Sequence, residues 1–210
     1  MTIPAYVPER LHANYGPHWE TDWPIGLTLK EIPLDIRVMD LMRAADYPDD
    51  ERRKYWDYND GRSYDSLNGV AKAEPDKLRE AITTCLEKFV ATEDQKLLLN
   101  RVSLFGRILM NHHEVRKNVM DEKIAELYLG HLANIKPDKD LVENWFYEMA
   151  FRSGLEMTLT TAATNDPAKL HSLRSIFKPI AEGVFAVPDI RPSGSMVAWG
   201  ASAYLDKKYG

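Results

Sequence analysis

The chain contains a single cysteine, Cys85, among 210 residues, and that scarcity sets its first limits. One thiol cannot close an internal disulfide, and it excludes the thiolate clusters of zinc ribbons and cysteine-ligated iron-sulfur centres. No run of 18 apolar residues occurs, so a membrane-spanning helix is not expected. Charge of positive sign is also short: 27 Lys and Arg face 32 Asp and Glu, a formal net charge of −5. Binding to nucleic-acid phosphates depends on clustered cations, so no nucleic-acid partner is expected. The densest basic stretch, Arg52-Arg53-Lys54-Tyr55-Trp56, sits among Asp49, Asp50, Glu51, Asp57, Asp60 and Asp65, and these acids cancel it. The N-terminus lacks a basic segment followed by an apolar stretch, so no secretory signal is read and a cytoplasmic location is expected.

With 44% apolar residues, the chain has enough material for a core. A chain of this size removes roughly 70% of its unfolded surface from water, so folding needs neither disulfide nor metal. Its texture divides into three parts. Residues 1–32 carry Pro4, Pro8, Pro17 and Pro24 with Tyr6, Tyr15, Trp19 and Trp23. Each proline fixes its own φ and pushes its predecessor towards extended geometry, so this part reads as an extended arm. Residues 33–187 read as a helical domain with an irregular aromatic loop near 48–73, where Asn59-Asp60-Gly61 and Asn68-Gly69 offer turn residues. Residues 188–210 form a small-residued tail with Trp199 that suits packing on a surface.

Within the helical part, Pro33 opens a stripe of Ile36, Met39 and Met42. A second helix from Pro75 aligns Leu78, Ile82, Cys85, Leu86 and Phe89, which makes Cys85 a buried structural thiol. Thr92-Glu93-Asp94-Gln95 matches a capping box for a third helix with Leu98, Val102, Phe105, Leu109 and His112 on its apolar face. That stripe loses phase at Asn111-His112-His113-Glu114, which predicts a break. A fourth helix buries Ile124, Leu127, Tyr128, His131 and Leu132, and a long central one starts at Pro137 and includes Trp145, Phe146, Met149 and Leu155. Asn165-Asp166-Pro167 starts the last, pairing a side-chain cap with a proline in the first turn, and its core face carries Leu170, Leu173, Ile176, Phe177 and Ile180. The expectation is an all-α protein: an irregular bundle of about six helices with extended N- and C-terminal arms.

Reaction chemistry has two candidate clusters. His112, His113 and Glu114 are the densest possible metal ligands. Adjacent residues on a helix point about 100° apart, so the two imidazoles share an ion only if the helix breaks there. In the central helix Asp140, Asn144, Glu148, Arg152, Glu156 and Thr160 recur every four residues, a solvated stripe or, if covered, an acid–base row in which Glu148, Arg152 and Glu156 are the catalytic candidates. The paired Glu-x-x-His motifs of a di-iron bundle are missing, and Ser175-Ile176-Phe177-Lys178 stands without the companion motifs of serine acyl enzymes. Phosphate loops and dinucleotide fingerprints are absent too, so no motif indicates a cofactor. Large rings at both ends are costly to leave wet, which favours contact as the function. The expected role is a helical accessory or structural subunit of a larger cytoplasmic protein or enzyme complex, docking on a protein partner or another copy through Trp19, Trp23, Tyr55, Trp56 and Trp199. The competing expectation is a metal-dependent or acid–base enzyme with an unfamiliar helical site, and a third is a carrier of an apolar ligand.

Overall fold

The computed structural model describes residues 62–88, 90–162 and 166–189, and these form an all-α arrangement without strands among the described residues. Its helices are α1 (Arg62–Ala73), α2 (Pro75–Lys88), α3 (Gln95–Asn111), α4 (His113–Asn118), α5 (Glu122–Ala133), α6 (Lys139–Val142), α7 (Trp145–Ala162) and α8 (Pro167–Phe185). The N-terminal arm, the helix read from Pro33 and the C-terminal tail beyond Asp189 lie outside the described residues. Eight described helices stand against the five expected in these residues, because α1 forms within the stretch read as an irregular aromatic loop and two breaks produce the short helices α4 and α6.

Aspartate starts much of this architecture. Asp94, Asp121, Asp138 and Asp166 precede α3, α5, α6 and α8, and each carboxylate accepts a backbone N–H of the first turn at 2.9–3.0 Å. Such a cap stabilises a helix by about 1 kcal/mol. The capping box predicted at Thr92 is displaced by two residues. Asp94 caps α3, Thr92 Oγ1 accepts from the Asp94 N–H at 3.3 Å, and Gln95 reaches across to accept from the Lys136 N–H at 2.7 Å. A carboxylate is the better acceptor at a helix N-terminus, and Asp94 stands immediately before the first residue of α3.

Two further expectations are corrected. Asn68-Gly69 forms no turn but lies inside α1, and Asn68 Oδ1 accepts from the Glu114 N–H of α4 at 3.0 Å. The helix predicted from Pro137 is interrupted at Glu143 and Asn144. There Asn144 Oδ1 accepts from the Phe146 N–H at 2.9 Å and restarts the chain as α7.

Helix α7 is central, as its apolar sequence predicts, packing against α3, α5 and α8. The predicted stripes supply the core: Leu78, Ile82, Cys85 and Leu86 from α2; Leu98, Val102, Phe105 and Leu109 from α3; Leu173, Phe177 and Ile180 from α8. Phe151 of α7 meets Phe177 of α8 with ring centroids 5.1 Å apart. Full burial of one such side chain contributes about 1.5–3 kcal/mol.

Helices α3, α5 and α7 come close together around Gly106. A Cβ on Gly106 of α3 would lie 2.4 Å from Tyr128 Oη and 2.7 Å from Ser153 Cβ, so only glycine admits these neighbours. Tyr128 is fully buried and its hydroxyl donates to the Ala150 carbonyl at 2.9 Å. Burial pushes its phenol above the ordinary range, against the opposing effect of a hydrogen bond with Ser153.

Candidate functional site

The break predicted after Asn111 is present. His112 leaves helical geometry with φ −83° and ψ 104°, ending α3, and α4 restarts at His113. The Arg116 guanidinium lies 3.5 Å from the Met110 carbonyl, at the unsatisfied end of α3. The break separates the two imidazoles instead of joining them. His112 is buried in the core, whereas the His113 side chain is 67% exposed.

Glu114 is built into the α1–α4 contact. Its carboxylate pairs with Lys72 of α1 at 3.4 Å, accepts from Asn118 Nδ2 at 3.0 Å and lies 3.4 Å from His113 Nδ1. Partial burial works to raise its carboxyl, but Lys72, Asn118 and His113 together outweigh it and hold the group below its ordinary value. No three His, Cys, Asp or Glu side chains converge on a common point among the described residues. The triad His112, His113 and Glu114 is thus a helix break in which one imidazole enters the core and the carboxylate ties two helices.

The second candidate lies at the water boundary. Arg152 donates through Nε to Glu156 Oε1 at 3.2 Å, and the two side chains are 60% and 31% exposed. Arg152 and Thr160 are exposed while Glu148 and Glu156 are half-buried, and the interruption at Asn144 separates Asp140 from the row.

Cys85 is fully buried, as expected. His131 of α5 sends Nε2 to within 2.7 Å of the Leu86 carbonyl of α2. A carbonyl oxygen only accepts, so Nε2 carries the proton and the imidazole ties α2 to α5 as a boundary histidine. Ser175 is exposed and donates to the Ser172 carbonyl at 2.7 Å. The predicted anchors Trp19, Trp23, Tyr55, Trp56 and Trp199 lie outside the described residues.

Sequence reasoning missed a different pair. Trp145 and Phe185 are the large apolar side chains left exposed among the described residues, at 46% and 43%. Trp145 reads from sequence as part of the most apolar helix and so as core. Asn144 instead makes it the first residue of α7, and the core position passes to Phe146, whose ring Trp145 meets edge-on at 5.1 Å. The available signal was Asn144 itself, a good helix N-cap immediately before the tryptophan.

No described helix is long and apolar enough to cross a membrane. Comparison of the chain with models of protein families, with curated proteins and with solved structures finds no match.

Proposed function

We propose that this chain is a helical accessory subunit of a larger cytoplasmic protein assembly, acting through contact with a protein partner or another copy of itself. The observation that carries the reading is the exposure of Trp145 and Phe185 on a body whose other large apolar side chains, among those described, are at least partly sheltered. Large aromatic rings dominate binding energetics because they remove much area from water at small rotamer cost. The rings read at both ends of the sequence, Trp19, Trp23 and Trp199 among them, support the same role.

The experiment is sedimentation of the full chain, alone and in extract of the cells that make it, at native abundance. The expected result is a species heavier than the 24.1 kDa monomer with stoichiometric composition. A monomer in both conditions contradicts the proposal. Stoichiometric iron, copper or zinc in that monomer would turn the case towards the enzyme reading.

A further inference from the structure

We propose that the end of the bundle bearing Trp145 and Phe185 docks a basic amphipathic helix of a partner protein, one in which Lys or Arg flank an apolar face. The inference rests on the subunit reading above and names the partner's chemistry.

Contacts between helices bring the two rings to one end. The short connection between α7 and α8, together with the Phe151–Phe177 contact, makes these helices an antiparallel hairpin. Trp145 precedes Phe151 by about 9 Å of helix, and Phe185 follows Phe177 by about 12 Å, at 1.5 Å per residue. Both displacements run the same way. Helix α8 runs parallel to α5, since Lys169 pairs with Glu122 and Ser172 with Glu126, while Pro137, beyond α5, approaches Gly183. The C-terminus of α5 therefore reaches the same end. Gln95 joins it through the Lys136 amide, and the C-terminus of α2 through the His131–Leu86 contact.

Charge on this end is unequal. Glu93, Asp94, Asp138, Asp140, Glu143 and Asp189 are exposed there, against Lys88, Lys96, Lys136 and Lys139. Glu182 and Lys178 face each other at 4.0 Å and add no net charge. Among the described residues acids thus exceed bases by two around a pair of exposed rings, while the C-termini of α2, α5 and α8 and the N-termini of α3, α6 and α7 at this end offset one another. An apolar anchor inside an acidic rim is complementary to a helix that presents Leu or aromatic residues at i, i+3, i+4 and i+7 between cations. A second copy of this chain would bring a like-charged rim against it, which is unfavourable.

The test is titration of the full chain with two synthetic helical peptides that share one leucine face and differ only in carrying lysine or glutamate on the other. The indole N–H resonance of Trp145 is followed, assigned with Trp145→Phe. The lysine peptide is expected to shift this resonance and to bind at least about tenfold more tightly than the glutamate peptide. Trp145→Ser with Phe185→Ser should weaken it about tenfold or more with the helical circular dichroism unchanged. Glu93→Lys with Asp140→Lys, which leaves both rings in place, should weaken it severalfold and flatten its salt dependence. Equal binding of the two peptides, no binding of either, or indifference to both double variants would overturn the proposal. Wild-type self-association that the ring variants abolish, without peptide binding, would make a second copy the occupant and leave the subunit reading standing.

Discussion

Replacing Gly106 by alanine separates close packing from helix propensity, because the two act in opposite directions. Propensity alone makes alanine the better residue inside a helix by about 0.5–1 kcal/mol. At Gly106, however, the added Cβ would sit 2.4 Å from Tyr128 Oη and 2.7 Å from both Ser153 Cβ and Oγ. Neither neighbour is the free end of a flexible side chain, since Tyr128 is fully buried and its hydroxyl is held on the Ala150 carbonyl. Overpacking of this kind costs about 1–3 kcal/mol. Displacing the hydroxyl leaves a buried donor unsatisfied for about 1–3 kcal/mol more. The sum predicts a net loss of about 1–5 kcal/mol in urea unfolding followed by circular dichroism, or a fall in Tm of about 2–20 °C. Gly154→Ala should be milder, because its Cβ would meet the terminal methyls of Leu132 and Leu129 at 2.9 and 3.2 Å, which can turn aside. Gly69→Ala and Gly130→Ala, with nothing within 4 Å, should be neutral or stabilising by up to about 1 kcal/mol. Gly106→Ala behaving like Gly130→Ala would refute the α3–α5–α7 packing.

Titration supplies further tests. Burial raises the phenols of Tyr128 and Tyr147 above their ordinary value of 10.0, so below that pH both folded and unfolded chains keep the proton and stability is unaffected. Above it the unfolded chain loses protons that the folded one retains, and stability should fall by about 1.4 kcal/mol per pH unit for each phenol. Tyr147→Phe should remove one such increment from the alkaline slope of unfolding free energy, and an unchanged slope would contradict the assignment. Glu114 has the opposite sense. Its carboxyl is held below 4.5, so its stabilisation is present above that pH and lost as pH falls through the folded value. Glu114→Gln should therefore make unfolding less sensitive to acid below about pH 4.5, read from urea midpoints between pH 2 and 6. His131 should show the Nε2–H tautomer in nitrogen-detected NMR, and His131→Leu should cost about 1–3 kcal/mol by leaving the Leu86 carbonyl without its donor. The other tautomer would remove this tie between α2 and α5.

Periodicity made the long elements legible. The stripes of α2, α3, α5 and α8, the buried Cys85 and the break at His112 follow from apolar spacing and loss of phase. Asp166 before Pro167 also behaves as the local pattern requires. What escaped were choices made by competing polar groups. Asp94 displaced Thr92 as the cap of α3, and the Gln95 side chain was taken by Lys136, 41 residues away, which no local pattern encodes. Asn68 was read as a turn residue, yet it spends its side chain on the first turn of α4. The placement of the two histidines escaped for a related reason. His112 and His113 are neighbours in sequence, but the break that might have joined them turned one inward and the other to water. Trp145 shows the limit of reading burial from hydrophobicity, because one capping asparagine put the largest ring of α7 at the helix start and exposed nearly half of it.

The central claim is that this protein works by contact through an exposed aromatic end of its helical body. The most direct measurement is the sedimentation of the full chain in its native extract beside Trp145→Ser with Phe185→Ser, both confirmed as folded by circular dichroism. Contact predicts that the natural chain travels in a species well above 24.1 kDa and that the variant falls to the monomer. Identical sedimentation of the two chains would contradict it.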